Sequence, residues 1–452
     1  MNPSPSAELW NNRSLFRLLW PLIIEQFLVV VMGATDTVMV SPLGEFAVSG
    51  VNIVDNINNL ISIAFIALST GGAVVCSQYI GRQDHSNSSL ASKQLVYVVT
   101  FVSLCLTVLA LAFRRPIVRG IYGRIDDDVM NAAMAYFLVT ALSYPALAVY
   151  NSCAALFRSA GNSKVPMRIA ILVNLINVFG NAFFLYVVPL GVAGVALSTL
   201  LSRVTAAVIL VVMLHRNQRS PVSLAGILKI KIVPSMMRRI LNVGVPGGLE
   251  QSMFQFGRLL TQRIFPYFGT SVIAANAIAA VLNSFCFQTG NAYCIALITI
   301  VGQCIGAGNY EAAKKNTVKV IKITWISIGL ISACLLIFRN QLIGLFSLSP
   351  EAQASAKLFL TIHTVSMSIA WTLSFTTPAA LRAAGDAKYV MVIGVISMWI
   401  VRVCFAYLFT FTFGIGPVGV WIAQGGDFLC RSILFMRRWR GGAWQKIKVI
   451  DN

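Results

Sequence analysis

Residues 21–26 read PLIIEQ and residues 246–251 read PGGLEQ, so Pro21, Glu25 and Gln26 fall on Pro246, Glu250 and Gln251 after a shift of 225. The same shift, with no gap, lays Gly44, Ile53, Asn58, Gln78, Ile80 and Gly81 on Gly269, Ile278, Asn283, Gln303, Ile305 and Gly306. Farther on, Arg158, Gly161 and Lys164 match Arg382, Gly385 and Lys388 at a shift of 224, and Gly191 and Gly194 answer Gly416 and Gly419 at 225 again. Chance scatters identities, whereas one register held across half a chain marks an internal repeat. The chain is two homologous halves.

Of the 452 residues, 57% are hydrophobic and 11% charged, where a soluble domain carries about 25% charge. A bilayer-crossing helix takes roughly 20 mostly apolar residues. Such stretches are centred at about 30, 60, 103, 142, 178 and 203 in the first half, and at about 254, 287, 328, 368, 399 and 425 in the second. Backbone groups in hydrocarbon must be satisfied within the segment, and the alternation of a barrel strand is absent, so these stretches are helices. The expected fold is an all-α integral membrane protein with twelve transmembrane helices in two six-helix bundles. An even number of spans per half gives the repeats parallel topology, about an axis along the membrane normal. The bundles occupy residues 1–214 and 243–452, the second with a tail, and residues 215–242, basic and broken by Pro221 and Pro234, form the linker. The first stretch carries Glu25 and Asp36 and lacks a small-residue cleavage pattern, so it is not a signal peptide.

The net charge of +20 is distributed by topology. Arg13, Arg17, Arg82, Lys93, Arg158, Lys164, Arg168, the cations from Arg216 to Arg239, Lys314, Lys315, Lys319, Lys322, Arg382, Lys388 and the tail from Arg437 to Lys448 fall on one side. The other side holds Arg114, Arg115, Arg119, Arg124, Arg339 and Lys357. The positive-inside bias places both termini in the cytoplasm of a multi-pass plasma-membrane protein, and nucleic acid is excluded as a partner. The partners expected are a small-molecule substrate and the lipid bilayer, with the chain as a monomer. The nine cysteines are scattered, with neither C-x-x-C nor metal-ligand spacing, and read as packing residues. No Walker A motif and no nucleophile–base–acid arrangement occurs, which argues against ATP hydrolysis or an enzyme; no catalytic residue, metal or cofactor is expected.

An ionisable residue inside a bilayer is a functional candidate by default. Counting up span 1 at about 1.5 Å per residue puts Asp36 about 22 Å above Pro21. The same counting on spans 4, 5 and 6 brings Tyr136, Asn177, Asn181 and Thr199 into one slab with it, a cluster able to carry a proton or hold a dehydrated Na⁺. Asn and Thr also bond helices together in bundles, which is the plainer reading of Asn177 and Thr199. Span 2 carries Asn52, Asp55, Asn56 and Asn59 on one helical face, which suits the wall of a wet cavity. Glu25 and Glu250 sit four residues after their prolines, where an acid in a first helical turn complements the helix dipole; Glu250 remains a cavity candidate. In the second half Asp36 becomes Thr261 and Asn181 becomes Ala406, and the charged residues are Arg258, Arg402, Asp427 and Arg431. Asp427 and Arg431 have the i,i+4 spacing of an intrahelical pair. Arg402 either pairs with Asp427 across spans or meets an anionic substrate group.

Pro21 to Gly44, with its run from Gly33 to Asp36, resembles the multidrug and toxic compound extrusion family, as do Gln78 to Gly81, Asn177 to Asn181, Gly244 to Pro246 and Gly302 to Gly306. The resemblance covers nearly the whole chain, from about residue 15 to 437. It implies two six-helix bundles in a V-shaped, alternating-access transporter that exports drugs, dyes or metabolites against H⁺ or Na⁺. It also implies a cation-site role for Asp36, Asn177, Asn181, Thr199 and Tyr136. Some members carry acids farther along span 7 and in span 10, where this chain has Phe254 and no acid between Lys357 and Arg382, so a second cation site lacks its acids. Asn181 stands where some members have aspartate, which weakens a purely proton-driven reading. The alternative function is a lipid-linked saccharide flippase of the same superfamily, a reading carried by Arg258 and Arg402.

Overall fold

The structure is a computed structural model that describes residues 10–123, 125–217, 220–346 and 348–450. Arg124 and Arg219, counted among the cations above, lie outside them. Among the described residues the chain is helical and has no strand. Spans 1 to 6 are Asn12–Leu43, Glu45–Gly81, His85–Ala112, the pair Asp127–Leu142 and Tyr144–Ser159, Lys164–Val187 and Val192–Arg216. Spans 7 to 12 are Pro234–Gln262, Thr270–Gly306, Tyr310–Ile337, Pro350–Ala383, Ala387–Thr412 and Val418–Arg440. Nine of these are long and apolar enough to cross a bilayer alone, and the pair in span 4, bent by 46° at Ser143, makes a tenth. Spans 7 and 12 complete the twelve. They are less apolar because span 7 carries Arg238, Arg239, Glu250 and Arg258, and span 12 carries Asp427, Arg431 and the arginines of its last turn.

The repeat is visible in backbone detail. Span 1 ends in a single tight turn, Ser41–Leu43, and span 7 is followed by another, Phe265–Phe268; each has a proline at its start. Gly44 (φ +100°) and Gly269 (φ +94°) then turn the chain into the next span. Only glycine adopts this conformation without strain. Spans 2 and 8 are both 37 residues long, and spans 3 and 9 both 28. Asp84 caps span 3 by accepting from Asn87 N at 3.0 Å, and Asn309 caps span 9 by accepting from Ala312 N at 2.9 Å. Such a cap satisfies an amide that the first helical turn leaves without a partner. At Asp84 the Asn87 backbone and side-chain amides hold the carboxyl below its ordinary range.

The chain divides into two compact units, Phe16–Gly248 and Leu249–Asn452, the second including the stretch up to Leu15. Much of the expected linker packs on span 3 of the first unit. Ser89 donates to Ser223 O at 2.7 Å, Tyr97 to Ile227 O at 2.6 Å and Gln94 to Lys231 O at 2.6 Å, while Val233 N donates to Gln94 Oε1 at 3.0 Å. The core of the second unit is aromatic, with Phe265, Phe359, Trp371, Trp421 and Phe428 buried among small residues of span 8.

Candidate functional site

In the first unit, Asp36, Asn177, Asn181 and Thr199 form one hydrogen-bonded chain across spans 1, 5 and 6. Asn181 Nδ2 donates to Asp36 Oδ1 at 2.6 Å and to Asn177 Oδ1 at 3.3 Å. Asn177 Nδ2 donates to Thr199 Oγ1 at 3.2 Å, and Thr199 Oγ1 donates in turn to Val195 O at 3.1 Å. Asn177 and Asn181, one helical turn apart, are fully buried, and Asp36 is 8% exposed. Asn181 Oδ1 has no hydrogen-bond partner among the described residues. The cluster therefore offers a carboxylate, two amide oxygens and a hydroxyl oxygen in one place, and an amide oxygen with nothing to accept.

Tyr136 takes a different partner from the one expected. Its hydroxyl donates to Asp55 Oδ1 at 3.2 Å, which also accepts from Asn58 Nδ2 at 3.3 Å. Tyr144 in turn donates to Asn58 Oδ1 at 2.8 Å. The stripe on span 2 splits accordingly: Asn52, Asn56 and Asn59 are exposed, with Asn56 bonded back to Asn52 O at 3.0 Å, while Asp55 turns inward. The charges of Asp55 and Arg203 both reach Asp36. Arg203, on span 6, donates to Ser143 Oγ at 2.7 Å at the bend of span 4. Sequence reading missed Arg203, although a guanidinium within a span meets the criterion that singled out Asp36.

The corresponding region of the second unit is basic. Arg431 Nε donates to Asp427 Oδ1 at 2.8 Å, the expected i,i+4 pair, and Arg431 Nη2 donates to Gly394 O at 2.9 Å. Ser397 Oγ donates to the same Asp427 oxygen at 2.5 Å. Arg402 Nη2 donates to Gln424 Oε1, and Arg402 Nη1 stands 3.8 Å from Asp427 Oδ2. Arg402 thus faces Asp427 across spans, at a length beyond a hydrogen bond. Arg258 is exposed on span 7, and its charge reaches Arg402.

Glu250, a cavity candidate by sequence, is 6% exposed and ion-paired with Arg382 at 2.7 Å. Glu25 pairs with Arg158 at the same 2.7 Å. Neither acid lies in a first helical turn, because their helices begin at Asn12 and Pro234 and the prolines sit inside them. The dipole reading is therefore replaced by two equivalent cross-span ion pairs. Among the described residues, no group of His, Cys, Asp and Glu is arranged to hold a metal ion.

Two repeated six-span units, with a buried oxygen cluster in one and a buried arginine cluster in the other, define a multi-pass membrane transporter and not an enzyme. The sequence model of the MatE family matches residues 21–183 and 246–408, one copy per half, and the chain belongs to that family. It is 29% identical over 435 residues to the uncharacterized transporter YisQ of Bacillus subtilis, covering 95% of this chain and 94% of the relative. It is 26% identical to the probable multidrug resistance protein NorM of Thermotoga maritima, covering 97% and 94%. The crystal structure of a MATE protein in its bent conformation superposes with a TM-score of 0.88 at 19% identity, over 95% of this chain and 94% of that one.

Proposed function

We propose that this transporter is an antiporter, exporting small organic molecules across the plasma membrane in exchange for a cation taken up at Asp36. The observation that carries this reading is the state of that carboxylate. Asp36 is buried within a membrane span, accepts from an uncharged amide, and has no ion-pair partner among the described residues. A buried carboxylate without a fixed counter-cation is costly as an anion, so a mobile cation stabilises it. The charge of Arg203 reaches both Asp36 and Asp55, while its Nη1 donates to Ser143 Oγ. A proton satisfies Asp36 directly. Sodium needs several oxygens, which Asn177, Asn181 and Thr199 supply, so it competes for the same place. The names of relatives such as the Thermotoga maritima NorM support multidrug substrates. The basic residues on spans 3, 6, 7, 9 and 12 support termini on the cytoplasmic side.

The test uses proteoliposomes loaded with a fluorescent drug. An inward proton gradient without sodium drives efflux, and Asp36→Asn eliminates it. If only a sodium gradient drives efflux, the proton assignment is wrong and Asp36 stays as a ligand. If Asp36→Asn still couples to either gradient, the site itself is wrong. For orientation, single cysteines placed between residues 220 and 233 label only from the cytoplasm, and one at Gly123 or Ser349 only from outside; labelling of both sets from one face overturns the topology.

A further inference from the structure

In the second unit Arg402 and Arg431 both face the acid Asp427, and the charge of Arg258 reaches Arg402. Asp427 Oδ1 accepts from Arg431 and Ser397, while its Oδ2 makes no hydrogen bond among the described residues and faces Arg402 Nη1 at 3.8 Å, so one acid stands against three guanidinium charges. Arginine does not lose its proton in a protein, and a buried cation requires a partner. Arg402 is 5% exposed, yet its Nε and Nη1 make no hydrogen bond among the described residues. Its hydrogen bond is held in place: Gln424 accepts from Arg402 through its oxygen, and its nitrogen lies 2.8 Å from His363 Nε2, whose ring lies tilted against Trp421 with centroids 4.6 Å apart. The donors of Arg402 are therefore oriented in advance. The faces of Phe254 and Phe428 lie 5.2 and 5.8 Å from its guanidinium carbon, and Phe254 also faces Arg431 at 5.1 Å. Phe254 is only partly buried, and Arg258 is exposed one helical turn farther along the same span. An arginine facing lipid tails is strongly disfavoured, so that side of span 7 meets water.

We propose that Arg402, with Arg258, anchors a binding site for an aromatic organic anion within the second unit. The carboxylate takes the unused N–H groups of Arg402, and the ring lies against Phe254. This names a substrate class for the exporter and rests on that reading for transport, while the binding itself does not. A guanidinium N–H bonds a charged carboxylate more strongly than it bonds a neutral isostere, which selects the acid.

Purified protein in an uncharged detergent is titrated with 1-naphthoate and with its neutral isostere 1-naphthamide. The acid is expected to bind about tenfold tighter or more, as charge-assisted hydrogen bonds require. Arg402→Gln removes that preference, and Arg402→Lys restores part of it. Because Arg402 is buried and its variants can fail to fold, Arg258→Gln at an exposed position gives an independent reading: weaker naphthoate binding with naphthamide unchanged. Equal affinity for the two probes, or a preference that survives Arg402→Gln or Arg258→Gln, overturns the site. An intact acid preference without any Asp36-dependent efflux in proteoliposomes defeats the antiport reading alone. Asp36-dependent efflux of a cationic dye, with no acid preference, defeats the anion site alone.

Discussion

Arg402 stands where Asn177 stands one repeat earlier, and each donates across to the same neighbouring place, Asn177 to Thr199 Oγ1 at 3.2 Å and Arg402 to Gln424 Oε1. The frame of the pocket is duplicated and its charge is inverted. Around Asn177 the equivalents are an acid and an amide, Asp36 and Asn181; around Arg402 they are Thr261 and Ala406, and Asp427 replaces Ser202. Duplication preserved helix lengths and caps, and left the interior positions free to diverge.

That divergence predicts unequal halves. Asp36→Asn abolishes gradient-driven efflux while the protein still purifies as a folded species. Thr261→Ala leaves coupling largely intact, because the Thr261 hydroxyl only returns to Arg258 O at 2.9 Å on its own helix. Measured side by side in proteoliposomes, equal losses would contradict a single cation site in the first unit.

The two buried ion pairs predict strong non-additivity. Glu25→Gln, by leaving a poorly hydrated arginine facing a neutral amide, costs about 3–5 kcal/mol of stability. The double variant Glu25→Gln, Arg158→Gln loses less than the sum of the two single changes, and Glu250 with Arg382 behaves alike. Thermal unfolding in detergent measures the cycle, and simple additivity in both pairs would show that neither contact matters energetically.

Glycine substitutions separate backbone strain from space. Gly269 has open room around an added Cβ but a φ of +94°, so Gly269→Ala destabilises by about 1–3 kcal/mol through backbone strain alone. Gly33, inside span 1, has the same open room without a positive φ, so Gly33→Ala is neutral or stabilising by up to about 1 kcal/mol. Unfolding midpoints of the two variants should move in opposite directions, or only the first should move.

Acid weakens one cap and spares its twin. The amides of Asn87 lower the Asp84 carboxyl in the folded state. Its contribution is therefore complete above the unfolded carboxylate range and is lost as pH falls through the lowered folded value. Asn309, the equivalent cap, does not titrate in that range. Asp84→Asn should flatten the acid limb of the stability profile, and an unchanged limb would show that this cap contributes little.

Much of this was legible because helices rise evenly. The repeat set the spans, and counting residues up each span brought Asp36, Asn177, Asn181 and Thr199 to one height, where the structure joins them. Height carries no information about direction around a helix, so it does not tell that the Tyr136 hydroxyl bonds Asp55 and not Asp36. The place of Glu25 and Glu250 in their helices is hidden for another reason. A proline suggests a helix start, but Pro21 and Pro246 lie inside helices that began well before them. Pairing across 133 residues, as between Glu25 and Arg158, leaves no local pattern in a single sequence to find.

That separation matters while the chain is being made. Glu25 enters the membrane with the first span, and Arg158 follows 133 residues later. At about 5–20 residues per second, the acid waits roughly 7–27 s for its partner. During that interval the nascent protein holds an acid without its counter-charge, and a translocation intermediate stalled before Arg158 should be the form most exposed to quality-control proteases. The second half repeats the delay with Glu250 and Arg382, so biogenesis passes twice through the same vulnerable stage, and each half closes its own lock before its sixth helix has been synthesised.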